Sequence, residues 1–517
     1  MEAFFKEAFY LLIIVIALLF STKLSFFLLR PSKKSNLPPG PPSIPVIGNL
    51  LWLRHFPSIS NIETLLGDLR RHLGPIITLQ IGSRRSIYIT DRSLAHKALI
   101  ELGSVFSTRP PRPPSGRFLN SDVLNITFSP YGGKWRLLRR NLTAEILQPA
   151  KLHLFSHDRS WILGLLLRRL HAKSQESSQR VVVPVAIFQF AMFGLLARMC
   201  FGERLAEEAI TEIEIATREL ILYLNTSLRI LAFVPKFLST FLFRERWRTL
   251  LRLRQRQSEL FLPLIRARRE RRKNADEERL MLYSYVDSLL RIAIAEEGGR
   301  RLTDQELVSL CSEFLMAGAE TTASALHWIM AEITARPAVQ AKLAEEVETR
   351  SGEEIKDEDL PKMSYLKAVV MEGLRRHPPV HFLLPHSVTE DTVFEGYLIP
   401  KNVPVIFPVS ELGWDERVWS EPMEFVPERF MAGGDGEGVD ITGSREIKMM
   451  PFGAGRRMCP GFGLAMLHLE YFVANLVREF RWEAMDGEQI DFSVKFEFST
   501  TMKKPFRARI TPRRKVC

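Results

Sequence analysis

The chain has 517 residues, 46% of them hydrophobic, which is enough to bury a deep core or enclose a cofactor. Its four cysteines, Cys200, Cys311, Cys459 and Cys517, form no C-x-x-C pair; this removes the usual zinc and thioredoxin-like frameworks and points to a reducing compartment. The net charge of +12 admits nucleic acid or an anionic membrane as a partner, but basic residues alternate with acids, the run 266–279 reads as a solvated helix or loop, and no nucleic-acid motif accompanies it.

Residues 8–29 are strongly apolar, and Lys23 is the one charge among them. At roughly 1.5 Å per residue they can cross a hydrocarbon layer of about 30 Å. No small-x-small cleavage site follows, whereas Arg30, Lys33 and Lys34 do, so residues 1–30 are expected to be an uncleaved anchor with the body in the cytosol. "LPPGPP" at 37–42 makes residues 31–45 a stiff proline hinge. The body, 46–517, opens with a β-rich stretch at 75–90 around Gly82-Ser83 and has a second β-rich patch near 380–408. Most of the remainder has helical periodicity. The expected architecture is mainly α with small β-sheets to one side, an α+β arrangement.

"YGGKWRLLRR" puts Trp135 and Arg139 four apart, on one helix face. Farther on, Thr303 and Glu306 form a capping box and Pro337 a stop, predicting a buried helix of about thirty residues, near 45 Å long. Its middle is polar: Gly318 weakens the helix, and Glu320, Thr321 and Thr322 need partners if buried. Two readings stand. A carboxylate and a hydroxyl beside a gap suit oxygen binding and proton delivery; or Thr321 bonds back to a carbonyl at a kink. Glu372 and Arg375 lie three apart before Pro378, and Arg429 sits in the Pro-rich "PMEFVPERF". Each of these is commonplace alone.

"PFGAGRRMCPG" is not commonplace. Phe452, Gly455, Arg457, Cys459 and Gly461 surround one thiol. Gly455 permits a tight turn, successive N–H groups can face the sulfur, and Pro460 suits the first turn of a helix from about 461 to 480. The positive end of that helix favours a thiolate, and Arg457 can take a ligand carboxylate. This pattern suits a large flat ligand bound through sulfur.

With "LPPGPP", "WRLLR", "AGAETT", "EGLR", "PERF" and "PFGAGRRMCPG" in this order along almost the whole chain, the sequence resembles the cytochrome P-450 superfamily of haem-thiolate monooxygenases. Its wording is similar to plant microsomal members, most of all plant family 89, subfamily A. The resemblance implies haem b with Cys459 as axial ligand. Trp135, Arg139, His386 and Arg457 would hold the propionates, His386 standing where many relatives carry Arg. Glu372, Arg375 and Arg429 would form a structural triad, and Glu320 with Thr321 would handle protons at bound oxygen. The substrate wall would draw on 109–125, 314–322, 380–384 and 499–502, with Phe118, Phe314, Phe382 and Leu383 as apolar candidates. Residues 228–243, apolar around Pro235, would touch membrane lipid beside the substrate entrance. Implied partners are O2, a lipophilic or amphiphilic small molecule, and a separate NADPH-cytochrome P-450 reductase docking on Lys134, Arg136, Arg140, Lys448 and Arg456. The implied location is the endoplasmic reticulum membrane. The rivals are a haem-thiolate isomerase or dehydratase and a non-catalytic haem-binding sensor.

Overall fold

The computed structural model describes residues 36–44, 48–49, 62–81, 84–111, 125–227, 243–273 and 284–513. The expected anchor, the first part of the hinge, Phe118, residues 228–242 of the apolar segment, and Cys517 lie outside them. Among the described residues no helix is long and apolar enough to cross a membrane. The described part of the hinge is laid onto the body: Thr78 donates its amide to Pro39 O (2.8 Å) and its hydroxyl to Pro38 O (2.8 Å). A Cβ on Gly40 would sit 2.1 Å from Thr78 O, so only glycine lets the proline run lie this close.

In chain order the main helices are α1 (Ile62–Leu73), α2 (Gly133–Leu142), α3 (Ser156–Gln175), α4 (Val185–Phe201), α5 (Glu207–Thr226), α6 (Arg244–Lys273), α7 (Tyr285–Arg291), α8 (Asp304–Ala335), α9 (Pro337–Glu348), α10 (Ser364–Arg376) and α11 (Phe462–Glu479). The strands used below are β1 (Ile76–Ile81), β2 (Arg84–Ile89), β3 (Val181–Val182), β4 (Val405–Ile406), β5 (Phe480–Ala484), β6 (Val494–Phe496), β7 (Thr500–Met502) and β8 (Ala508–Pro512). β1 and β2 form the hairpin expected at 75–90, and β4 joins β2 in parallel, with Ile87 opposite Val405. β8 lies between β3 and β5, while β6 and β7 pair as a separate hairpin.

The core is built on α8. Its start is the expected capping box: Thr303 Oγ1 accepts from Glu306 N (3.3 Å), and Glu306 Oε2 accepts from Thr303 N (2.8 Å). α8 runs unbroken for 32 residues against α4, which is buried on every side from Phe188 to Phe201. Gly318 does not loosen the helix, contrary to expectation. A Cβ there would meet Leu196 Cδ1 at 2.6 Å, so the glycine exists to let α8 and α4 approach. The basic run at the end of α6 is likewise not merely solvated. Arg268 pairs with Asp287 (2.6 Å), Arg269 with Asp304 (2.7 Å), and Arg271 with Glu203 (2.5 Å).

Glu372, Arg375 and Arg429 meet in one buried knot. Arg375 donates Nε and Nη2 to the two oxygens of Glu372 (2.7 and 2.8 Å), and Nη1 to the carbonyls of Gly413 and Pro422 (both 2.8 Å). Arg429 Nε reaches Glu372 Oε1 at 3.3 Å and Nη2 reaches Glu421 O at 2.7 Å. The knot ties α10 to the irregular stretch 413–435. Asp435 balances the knot from its edge, 3.3 Å from Arg429 Nη1, so losing the Glu372 carboxylate leaves buried Arg375 without an acid and Arg429 with Asp435 alone. Glu372→Gln is therefore expected to cost about 3–5 kcal/mol in equilibrium unfolding, whereas Lys342→Ala, at the exposed pair with Glu428, stays within about 1 kcal/mol.

Candidate active site

The loop before Cys459 turns on left-handed glycines, Gly453 (φ +69°) and Gly455 (φ +70°). At Gly455 a Cβ would lie 2.0 Å from the Leu99 carbonyl oxygen, a main-chain atom that has no side-chain freedom to yield. Met458 N then bonds Gly455 O (3.0 Å), and Cys459 N returns to Phe452 O (2.8 Å). α11 starts directly after Gly461, whose N–H faces the Cys459 sulfur. Burial pushes the Cys459 thiol up from its ordinary value; the Gly461 N–H and the charge of Arg139 pull it back towards thiolate. Gly461 is not sterically required, since a Cβ there would clear the sulfur at 3.9 Å.

Beside this loop Arg109, Arg139 and Arg457 crowd together. Arg457 donates to Ser107 O (2.7 Å), Ile126 O (3.2 Å) and Ser129 O (2.7 Å), and its guanidinium lies 4.4 Å from the Trp135 ring centroid. Arg139, one turn after Trp135 on α2, donates to Met458 O (2.6 Å). Arg109 donates to Thr127 O (2.9 Å), Leu384 O (2.8 Å) and Pro385 O (3.0 Å). Among the described residues none of the three has a carboxylate partner. Burial, then the charges of Arg109 and Arg139, push Arg457 down to about 9; burial takes Arg109 to about 10.

Two members of the expected propionate set differ from expectation. Trp135 has one N–H, and it goes to Ile126 O (3.0 Å), so its contribution here is a ring face rather than a donor. His386 is buried with Nδ1 on Phe106 O (2.8 Å), and burial, helped by Arg109, takes it down to about 3. A neutral imidazole donating from Nδ1 leaves Nε2 as an acceptor, which cannot donate to a carboxylate. The third cation of the cluster is Arg109. Sequence reasoning placed it only within the substrate wall, and no local signal marks it, because its carbonyl partners Leu384 and Pro385 lie far along the chain.

On α8, Ala317 is exposed and Thr321 half-buried within a stretch that is otherwise largely buried. The Thr321 hydroxyl donates to Ala317 O (2.6 Å), so the back-bonded reading holds, within a helix that runs unbroken. Glu320 points elsewhere, to Arg218 on α5, with Nε and Oε1 at 2.8 Å. The structure therefore does not join Glu320 to Thr321. Phe314 is a core residue rather than wall, its ring 5.0 Å from the buried Tyr285. Phe382 packs towards α1 and β1, while Leu383 lies against Gly453 and Leu384 is exposed. The tip of β6–β7 is clamped to α8: Thr500 O accepts from Ser324 Oγ (2.6 Å) and Trp328 Nε1 (2.9 Å).

A mainly helical body with small sheets, and one cysteine at a helix N-terminus beside acid-free arginines, define a haem-thiolate protein. A family model of cytochrome P-450 matches residues 38–509, and the chain belongs to that family of haem-dependent monooxygenases. It is 46% identical to cytochrome P-450 89A9 of Arabidopsis thaliana over 97% of this chain and 98% of that one, which places it with plant family 89. It is also 30% identical to isoflavone 2'-hydroxylase of Medicago truncatula (93% and 94% covered) and 29% identical to flavonoid 3'-monooxygenase of Arabidopsis thaliana (88% and 87%). The family binds haem through a cysteine thiolate. The residues fit that group: Cys459 is the half-buried thiol, and three guanidiniums without an acid match the negative charge of the haem carboxylates.

The two glycines should behave differently. Gly455→Ala meets both the Leu99 carbonyl and a positive φ, and should lower the haem-loaded fraction severalfold as read by haem absorbance per protein. Gly461→Ala should load almost as the natural chain does.

Proposed function

We infer that this chain is a membrane-anchored monooxygenase that inserts one oxygen atom from O2 into a lipophilic or amphiphilic small molecule, with electrons from NADPH through a separate reductase. The observation that carries the reading is the Cys459 loop, with its thiol held between the N-terminus of α11 and the acid-free arginine cluster. Residues 1–30 would be the anchor, 31–45 the hinge and 46–517 the catalytic body, facing the cytosol at the endoplasmic reticulum. Relatives named for hydroxylating flavonoids and isoflavones favour an aromatic substrate with few charges.

Bound haem would supply the oxygen-activating chemistry, and Cys459 would hold it through its thiolate. Arg109, Arg139 and Arg457 would neutralise its carboxylates. Arg457 has five N–H groups, and three go to carbonyls, so donors remain. Thr321, half-buried on α8, would position a water for proton delivery, and Glu320 would relay protons to it once turned from Arg218. Arg136, Arg139, Arg140 and Arg456 line an acid-free surface groove of about 590 Å3, which supports docking of an acidic reductase there. Lys134 and Lys448 are less available: Lys134 pairs with Glu297, and Lys448 lies 3.8 Å from Glu446.

Reduced protein under carbon monoxide should show the red-shifted band of thiolate-ligated haem, and Cys459→Ala should lose it; a retained band would mean another ligand. Thr321→Ala keeps helix propensity, so loading should survive while product per NADPH falls and hydrogen peroxide rises, with Thr321→Ser intermediate. An unchanged ratio would favour an isomerase or dehydratase that uses no oxygen. Arg109→Leu should speed haem transfer to apomyoglobin about tenfold, the worth of one charge-assisted hydrogen bond of roughly 1.5 kcal/mol. His386→Asn should change that rate much less.

A further inference from the structure

Between α7 and α8 the chain makes a short hairpin with an acidic tip. Its strands, Ala293–Ile294 and Arg300–Arg301, pair antiparallel, and the tip between them reads Ala295-Glu296-Glu297-Gly298-Gly299. Both glycines have positive φ, +68° and +77°, which lets the tip fold back tightly. Gly298 N bonds Ala295 O (3.2 Å) and Gly299 N bonds Ile294 O (3.0 Å). The base is fixed on two sides. Ser288 of α7 donates its hydroxyl to Asn141 Oδ1 of α2 (2.9 Å), and Arg300 donates to both oxygens of Glu306 at the start of α8 (each 2.8 Å).

The tip rests on the first turn of α2. Glu297 pairs with Lys134 through one oxygen and with Arg300 through the other, the latter at 2.5 Å. A Cβ on Gly133 would sit 1.8 Å from Glu296 Oε1, so the Glu296 carboxyl lies against the helix start. Gly133 is itself part of the wall of the groove lined by Arg136, Arg139, Arg140 and Arg456. That wall contains no acid, and the two carboxylates of the hairpin stand at its rim. The hydrogen bond from Lys134, and after it that from Arg300, hold the Glu297 carboxyl below its ordinary range. Two cations therefore share one carboxylate. If Lys134 is released, Glu297 keeps Arg300. The Lys134 and Glu297 side chains are 34% and 29% exposed, and an ion pair that open to water is weak enough for a competing acid to displace.

We propose that the 293–301 hairpin is an internal competitor at the reductase-docking face: Glu297 occupies Lys134, Glu296 occupies the rim of the groove, and an acidic partner must displace them to engage α2 in full. The proposal rests on the reading of that groove as the docking face. Arg136, Arg140 and Arg456 capture the partner, and Glu297 returning to Lys134 helps to release it. The hairpin thus sets how tightly the partner is held without filling the groove.

The experiment measures haem reduction against reductase concentration, with the full-length haem-loaded chain and full-length reductase in phosphatidylcholine vesicles. Carbon monoxide spectra normalise each rate to loaded haem. Glu297→Gln should lower the half-saturating reductase concentration about threefold at about 20 mM salt, and hardly at all at about 0.5 M. Removing an acid near a basic groove also strengthens docking by long-range attraction, and a double-mutant cycle with Lys134 separates the two effects. In the Lys134→Gln background the hairpin has no lysine to hold, so the gain from Glu297→Gln should fall below about 1.5-fold. A larger gain there, or no gain with Lys134 present, overturns the proposal. Failure of the docking reading looks different. In that case Arg140→Glu and Arg456→Glu leave the half-saturating concentration unchanged, and the proposal falls with the face it concerns.

Discussion

Three guanidinium groups held together without an acid are the constraint around which the thiol side of this protein is arranged. Each is fixed by main-chain carbonyls: Arg457 by Ser107, Ile126 and Ser129, Arg139 by Met458, Arg109 by Thr127, Leu384 and Pro385. Carbonyls orient such groups but do not cancel their charge. Burial first, and then the charges of Arg109 and Arg139, hold the Arg457 pKa below its ordinary value, and an anion beside the cluster would oppose both. A haem seated here would bring two carboxylates to that cluster, and its loading would then be thermodynamically linked to folding of this region. The same contacts also join five pieces of chain: the segment after β2, the residues before α2, α2 itself, residues 384–385 and the cysteine loop.

The rest of the scaffold serves close approach. Gly318 lets α8 lie on Leu196 of α4, Gly455 lets the cysteine loop touch the Leu99 carbonyl, and Gly40 lets the proline run lie on β1. In each case the neighbour is within a distance that a methyl would fill. The buried knot of Glu372, Arg375 and Arg429 works at longer range, satisfying carbonyls of the irregular stretch 413–435 that no sheet or helix could pair. Charge is thus used in two ways here: balanced and locked at the knot, unbalanced and awaiting a ligand beside Cys459.

What was legible in the sequence was local. The capping box of Thr303 and Glu306, the hairpin at Gly82-Ser83 and the helix after Pro460 all depend on residues a few positions apart, and the structure has them. The cysteine loop was legible because its glycines and thiol sit within ten residues. Side-chain partners were not. Nothing near Glu320 announces Arg218, about a hundred positions earlier on another helix. Nothing near Trp135 says that its N–H is taken by Ile126, or near Phe314 that its ring packs against Tyr285. Gly318 looked like a weak point because a sequence records helix propensity but not the leucine packed across from it.

The hairpin tip carries a consequence for how such a chain can change. What fastens β6–β7 to α8 is the Thr500 carbonyl oxygen, gripped by Ser324 and Trp328. A main-chain atom is common to every amino acid, so the fastening does not depend on the side chain at that position. The flanking positions, Glu497 and Phe498 among them, can therefore drift in sequence while the strand stays where it is. A lineage of such enzymes can change what this turn presents one substitution at a time, without first reinventing the hook from which it hangs.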